Sequence, residues 1–126
     1  MVRTYAKVVG IVVILIGVVG LIAGEAPLFG LVNIEIAEDV VHLLTGGILA
    51  AVGFGVRDTN VVRTVVGVIG VVYLLVGILG FVASRLFGLL PVYGYSVVDN
   101  LIHLVLGVLG IAAAWLATDT ARRRTA

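Results

Sequence analysis

The chain contains no cysteine, only two prolines and few charged residues. Without cysteine it cannot form disulfides, thiolate metal sites or cysteine nucleophiles. Charged residues make up 12% of the 126 residues and hydrophobic residues 62%, whereas a soluble domain is about a quarter charged and about half apolar. Disorder is excluded as well, because it needs low hydrophobicity and high net charge. The net charge of +1 argues against nucleic-acid binding.

Four long apolar runs dominate what is present. A helix needs about 20 mainly apolar residues to cross about 30 Å of hydrocarbon, and residues 5–23, 39–56, 60–83 and 97–117 come close to that length or exceed it. Each run is rich in Val, Leu, Ile and Gly on all sides, and none alternates as the strands of a β-barrel do. We therefore predict an all-α integral membrane four-helix bundle that forms a single domain over residues 1–126.

The second half of the chain repeats features of the first half. An Arg-Thr pair at residue 3 recurs at residue 63, and a Leu-Phe-Gly-Leu stretch at residue 28 recurs at residue 86. The matching glycines are Gly10 with Gly70, Gly17 with Gly77, Gly20 with Gly80 and Gly46 with Gly107. We predict two tandem helical hairpins, at about residues 3–56 and 60–117, and a short basic tail at residues 118–126. Since each hairpin has two spans, both enter the membrane from the same side, as parallel repeats do.

The basic residues indicate the orientation of the bundle. Seven of the eight lie at the N-terminus, in the middle loop or at the C-terminus, and only Arg85 lies on the other side. The basic side is expected to be cytoplasmic, so we predict a multi-pass protein of the cell membrane with both termini in the cytoplasm. The first apolar run also has the shape of a signal peptide. Its match to the third run, and Pro27 directly after Ala26, predict that it is retained.

The residues that could carry chemistry lie near the outer ends of the second and fourth runs. In each repeat a carboxylate stands four residues before a histidine, and Asp or Asn stands three residues before it, so all three share one face of a helix. A carboxylate that accepts an imidazole N–H fixes the tautomer and leaves the other ring nitrogen free. The candidate metal-binding residues are Glu38, Asp39, His42, Asp99, Asn100 and His103.

Small residues follow each histidine at helical spacing, a pattern typical of close helix contacts. We therefore expect His42 and His103 to point into helix contacts and to lie across the bundle from each other. Together with the carboxylates they could bind a divalent metal, and the two histidines alone could be axial ligands of a b-type haem. They could also relay protons or bind a small polar solute.

A structural interpretation of the same residues competes with these. Ser96 and Asp99 have the spacing of a capping box, and His or Asn side chains can simply bond neighbouring helices. Because no zincin-like motif is present and the spacing differs from that of di-iron bundles, we predict that the chain is not an enzyme.

The leading functional prediction is a structural or accessory membrane component. Four short, glycine-rich helices form a thin bundle, so we expect a homo-oligomer or a second membrane subunit in addition to the lipid bilayer. The alternative prediction is a membrane protein that binds a cofactor or ion, either haem b or a divalent metal, or that handles protons or small solutes. It would use the carboxylate–histidine cluster near the outer face.

One segment of the last run resembles a known family. The sequence Asp-Asn-Leu-Ile-His-Leu at residues 99–104, followed by Gly107 and Gly110, is similar to a domain-of-unknown-function family of small four-helix bacterial and archaeal membrane proteins. Those proteins carry an Asn-x-x-His-Leu…Gly segment in the last helix. The likeness extends loosely over most of the chain, although Asp39 stands where the first repeat would have the Asn. The resemblance implies four spans, no assigned activity and no catalytic residue.

Overall fold

The computed structural model describes the backbone of residues 1–125 and the side chains of residues 1–117. Within that part the chain forms four helices that are long and apolar enough to cross a membrane, which confirms the predicted all-α class. They are α1 (Val2–Ala23), α2 (Ile36–Gly55), α3 (Thr59–Val82) and α4 (Val97–Thr125). The basic tail predicted at residues 118–126 lies outside the described side chains.

The helices pack as two hairpins, α1 along α2 and α3 along α4. Glycines allow the close approach. A Cβ added to Gly10 would lie 2.6 Å from the backbone nitrogen of Ala50, and one added to Gly70 would lie 2.9 Å from the backbone nitrogen of Ile111. Backbones this close leave no room for a side chain, so glycine sets the distance between the paired helices.

The two ends of the bundle are closed in different ways. At the end that holds the N-terminus and the short α2–α3 loop, an apolar core joins α1, α2 and α3. Its buried members are Val2, Ala6, Leu49, Val52, Val62, Val66, Ile69 and Tyr73. The Arg3 guanidinium donates to the carbonyl oxygens of Val56 and Arg57 just beyond α2, where a cation complements the helix dipole.

The opposite end carries the two longer connections, and we call it the long-loop end. The first connection contains an antiparallel hairpin of β1 (Ala26–Leu28) and β2 (Val32–Ile34), and the second contains a short 3₁₀ turn at Leu86–Gly88. The sequence predicted apolar loops here but not these elements. Because β2 ends close to α2, that helix begins at Ile36, three residues before the predicted residue 39.

Side chains cap the N-terminal ends of α4 and α3. The Ser96 hydroxyl oxygen accepts from the Asp99 N–H at 3.1 Å, and the Asp99 carboxylate accepts from the Ser96 N–H at 2.8 Å, which confirms the capping box. The Asp58 carboxylate caps α3 by accepting from the Asn60 N–H, since the helix begins one residue after it.

Candidate functional site

A cluster of one carboxylate and two imidazoles lies between α2 and α4 near the long-loop end. The Glu38 Oε1 atom is 3.6 Å from Nε2 of His42 and 3.7 Å from Nε2 of His103. One ligand atom from each of the three residues can be chosen so that all lie within 4.8 Å of one another. We call Glu38, His42 and His103 the Glu–His–His cluster.

The cluster follows from local helix geometry and from the packing of the hairpins. Glu38 and His42 are one turn apart on α2, as the four-residue spacing predicted. His103 comes from α4, and its ring faces that of His42 with centroids 6.1 Å apart and planes 20° apart. The two histidines therefore meet within one chain. Each lies six residues into its helix, which is nearly two turns.

The orientation of His103 is fixed by its own helix. Its Nδ1 lies 2.8 Å from the backbone carbonyl oxygen of Asp99, so Nδ1 carries the proton and donates it to that oxygen. The sequence predicted that a carboxylate would take this role, but the Asp99 side chain is turned towards the helix cap. Either acceptor has the same effect: the lone pair of Nε2 is free and points towards Glu38, as it does in histidine ligands of metals.

Three of the six candidate residues lie outside the cluster. The Asp99 carboxylate is held by the N–H groups of Ser96 and Asn33. The Asp39 side chain lies against the bare Cα of Gly20, and the Asn100 side chain lies against that of Gly80. All three are buried, so they are part of the packing around the cluster.

Sequence reasoning missed several residues that complete the site. The buried Glu35 carboxylate accepts from the backbone N–H groups of Val92, Tyr93 and Gly94, and so ties the two long connections together. Nothing in the sequence signalled this role, because it depends on the loops meeting in space.

Two tyrosines pack against His103. The Tyr95 ring lies edge-on at 4.9 Å, and the Tyr73 ring lies at 5.6 Å. Burial, together with the nearby carboxyl groups of Glu38 and Asp99, raises the pKa of the Tyr95 phenol, so this group keeps its proton. The Tyr73 hydroxyl forms a hydrogen bond with the neighbouring helix α2, because it lies 2.8 Å from Thr45 Oγ1.

Negative charge is concentrated at this end without a basic partner. Glu35, Glu38, Asp39 and Asp99 are all at least nine-tenths buried. Within the described side chains, the basic groups close to these carboxylates are only the two imidazoles, and neither Lys nor Arg is among them. Glu35 and Asp99 are satisfied by backbone N–H groups, whereas Glu38 faces only imidazoles. A buried carboxylate is costly unless a cation or a proton compensates it.

A cavity of about 450 Å³ leads to the cluster. It lies between α1 and α4, which contact each other much less than each contacts its hairpin partner. The walls are mainly apolar side chains such as Val12, Ile16, Val19 and Ile102, while Glu38 and both histidines lie at its polar end. The site is therefore accessible from the apolar side of the bundle.

Comparisons of the chain with protein-family models, curated proteins and solved structures gave no match. The family resemblance of the segment at residues 99–104 stays a prediction.

Proposed function

We propose that the protein is a multi-pass membrane protein that binds a divalent transition-metal ion at Glu38, His42 and His103. The observation that carries the proposal is the convergence of these ligand atoms within 4.8 Å. Two imidazoles and one carboxylate form a ligand set used by catalytic zinc and by non-haem iron. This proposal selects the metal alternative over the structural or accessory role that the sequence favoured.

The two distances from Glu38 are close to those around a single small ion, and the three ligand atoms, which lie within 4.8 Å of one another, would draw together to bind it. A tetrahedral ion with bonds of about 2.0–2.1 Å holds its ligands roughly 3.3 Å apart, and Glu38 lies 3.6 and 3.7 Å from the two histidine nitrogens. The ion would also balance the Glu38 carboxylate, which has no Lys or Arg partner among the described side chains. The fixed Nδ1–H of His103 supports the same proposal, since it leaves Nε2 unprotonated.

The same geometry argues against a b-type haem. Oε1 of Glu38 is almost equally distant from Nε2 of His42 and of His103, so it lies close to the plane midway between the two nitrogens. A porphyrin held by both histidines would occupy that plane. Haem would therefore require Glu38 to leave the cluster.

Membrane insertion is part of the proposal and is supported by the outer surface of the bundle. Large apolar side chains such as Leu15, Val19, Leu75 and Val105 are more than half exposed, and a soluble monomer rarely exposes a contiguous apolar patch this extensive. We propose the orientation predicted from the basic residues, with the cluster near the non-cytoplasmic side of the cell membrane. We also propose that the hairpins arose as tandem repeats, supported by their matching glycine contacts.

The test is a Zn²⁺ titration of the full chain in detergent, after treatment with a chelator and alongside metal analysis of untreated protein. We expect one Zn²⁺ per chain in the wild type. Glu38→Gln removes one ligand charge with little change in shape, and we expect it to weaken Zn²⁺ binding by about tenfold or more, as loss of even an outer-shell partner does. His103→Ala should have an effect at least as large.

Asp39→Asn is the matched control, because Asp39 is the next residue and is also buried but lies outside the cluster. It removes the same charge as Glu38→Gln and should leave Zn²⁺ affinity within about twofold of the wild type, since it removes no ligand. Equal losses in the two variants would show a general charge effect and contradict the proposed site. The absence of saturable Zn²⁺ binding would return the protein to the structural interpretation.

A further inference from the structure

The cavity beside the Glu–His–His cluster has the features of a ligand site. Its volume of about 450 Å³ lies within the range of roughly 300–1,000 Å³ that small-molecule sites occupy. Such sites combine apolar walls with a few convergent polar groups. Here the walls come from α1, α4 and the β1–β2 hairpin, while the polar groups are confined to the cluster end.

The mouth of the cavity faces the apolar surface of the bundle. Val12, Ile16 and Val19 of α1 and Ile102 of α4 line the cavity, and each is between 43% and 58% exposed. A molecule that enters between these side chains would come from the hydrocarbon of the bilayer and would reach the cluster with its polar end first.

The charge at the cluster end of the cavity restricts which polar groups a ligand can place there. Glu38, Asp39 and Asp99 line the cavity, and no Lys or Arg among the described side chains does. Three carboxylates exceed the charge of one divalent ion, so the cluster end stays negative when the ion is bound and disfavours an anionic head such as a fatty-acid carboxylate. Three protein ligands leave at least one coordination position of a metal open, and a neutral oxygen with a lone pair suits that position.

We propose that the cavity binds a neutral, lipid-soluble molecule whose carbonyl or hydroxyl oxygen lies beside the Glu–His–His cluster. The shared chemistry is one uncharged oxygen on an apolar body, which lipid quinones and long-chain alcohols both supply. The choice of a neutral oxygen rests on the proposed metal site, whereas the apolar cavity exists independently of it.

The experiment measures equilibrium binding of decyl-benzoquinone, 1-decanol and decanoate to the detergent-purified full chain, with and without Zn²⁺. We expect at least one neutral probe to bind more tightly than decanoate, and Zn²⁺ to strengthen its binding. The tighter of the two neutral probes identifies the source of the oxygen as a quinone or an alcohol.

Ile16→Trp tests whether the cavity is the site. Ile16 lines the cavity mouth and is 46% exposed, so the larger ring can extend into the opening without entering a packed core. We expect the binding of the neutral probe to weaken by about tenfold or more, because the ring occupies part of the volume that the ligand needs. Ile11→Trp is the matched control, since Ile11 lies on the same helix, is 45% exposed and does not line the cavity.

The two proposals fail in distinguishable ways. If Zn²⁺ binds but neither neutral probe does, or if decanoate binds as tightly, the cavity inference is overturned and the metal site stands. Equal effects of Ile16→Trp and Ile11→Trp would also overturn it. If Zn²⁺ does not bind but Ile16→Trp alone blocks a neutral probe, the metal proposal fails while the cavity site is supported.

Discussion

The α1–α2 and α3–α4 hairpins pack their helices alike but place different side chains in equivalent surroundings. In the first hairpin the carboxylate of Asp39 lies against Gly20, and in the second the amide of Asn100 lies against Gly80. The glycine in each case leaves room for a planar polar group beside the backbone of the neighbouring helix. The two hairpins therefore share the backbone geometry at this position, but only the first hairpin has a carboxylate there.

A second difference lies in the side chains that line the cavity. Three residues beyond Gly10, α1 carries Val13, whereas three residues beyond Gly70, α3 carries Tyr73. Tyr73 reaches across to Thr45 and His103 and fills the space beside α3. The smaller Val13 lines the cavity between α1 and α4. Tyr73 and Val13 both line the cavity, the larger side chain from α3 and the smaller one from α1.

The acidic residues at matching positions of the two hairpins also have different partners. Asp99 is taken up by the cap of α4 and by the N–H of Asn33, while Glu38, one methylene longer, extends to both imidazoles. Similar hairpins can therefore build an unsymmetrical site, since Glu38 and Asp99 have different partners.

The largest expected effect on stability comes from disrupting the close glycine packing that both hairpins share. A Cβ on Gly46 would lie 2.8 Å from the backbone nitrogen of Ile14, and one on Gly107 would lie 2.5 Å from that of Leu74. Because backbone cannot move aside as a flexible side chain can, we expect Gly46→Val and Gly107→Val each to lower the free energy of unfolding by about 3 kcal/mol. Reversible unfolding in mixed detergent measures this.

Gly47 provides the control for that prediction, because a Cβ there meets nothing within 4 Å. Gly47→Val should change the free energy of unfolding by no more than about 0.5 kcal/mol, as surface substitutions usually do. A large loss at Gly107 with little loss at Gly46 would show that the two hairpins do not depend equally on close packing.

An intermediate effect on the free energy of unfolding is expected when Asp39 and Asn100 are each given the side chain of the other. The Oδ2 atom of Asp39 and the Oδ1 atom of Asn100 are buried without a hydrogen-bond partner among the described residues. Asn100→Asp adds an ionisable group beside Gly80, so we expect the free energy of unfolding to fall by about 1–3 kcal/mol. Asp39→Asn removes such a group and should leave stability unchanged or raise it. If both variants lose stability equally, each side chain is fitted to its own hairpin.

Much of the fold could be predicted from the sequence because the apolar runs are long and uniform. The helices α1 and α3 begin and end within a few residues of the predicted runs, since length and hydrophobicity alone define them. The start of α2 was misplaced, because the β1–β2 hairpin that precedes it depends on pairing between Pro27 and Asn33 rather than on any apolar pattern.

The candidate site could be predicted only in part. The pairing of Glu38 with His42 followed from their spacing along one helix. Which of the remaining polar residues joins the cluster depends on contacts between elements, and spacing does not carry that information. Asp99 and His103 have the same spacing as Glu38 and His42, but Asn33, 66 residues away in sequence, holds the Asp99 carboxylate at the cap.

The smallest expected effect is that of removing the Tyr73 hydroxyl. Tyr73→Phe keeps the ring but removes the hydroxyl that lies 2.8 Å from Thr45 Oγ1. Interhelical bonds of this kind contribute about 0.6 kcal/mol on average, so we expect a loss of that size in the same unfolding assay. The Thr45 hydroxyl keeps its bond to the Val41 carbonyl oxygen at 2.9 Å, which limits the loss. If Tyr73 only fills space, Tyr73→Phe should leave Zn²⁺ affinity unchanged. A clear fall in that affinity would instead show that the hydrogen bond between Tyr73 and Thr45 of α2 positions the cluster. Val13, at the matching position of α1, has no hydroxyl that could form such a bond.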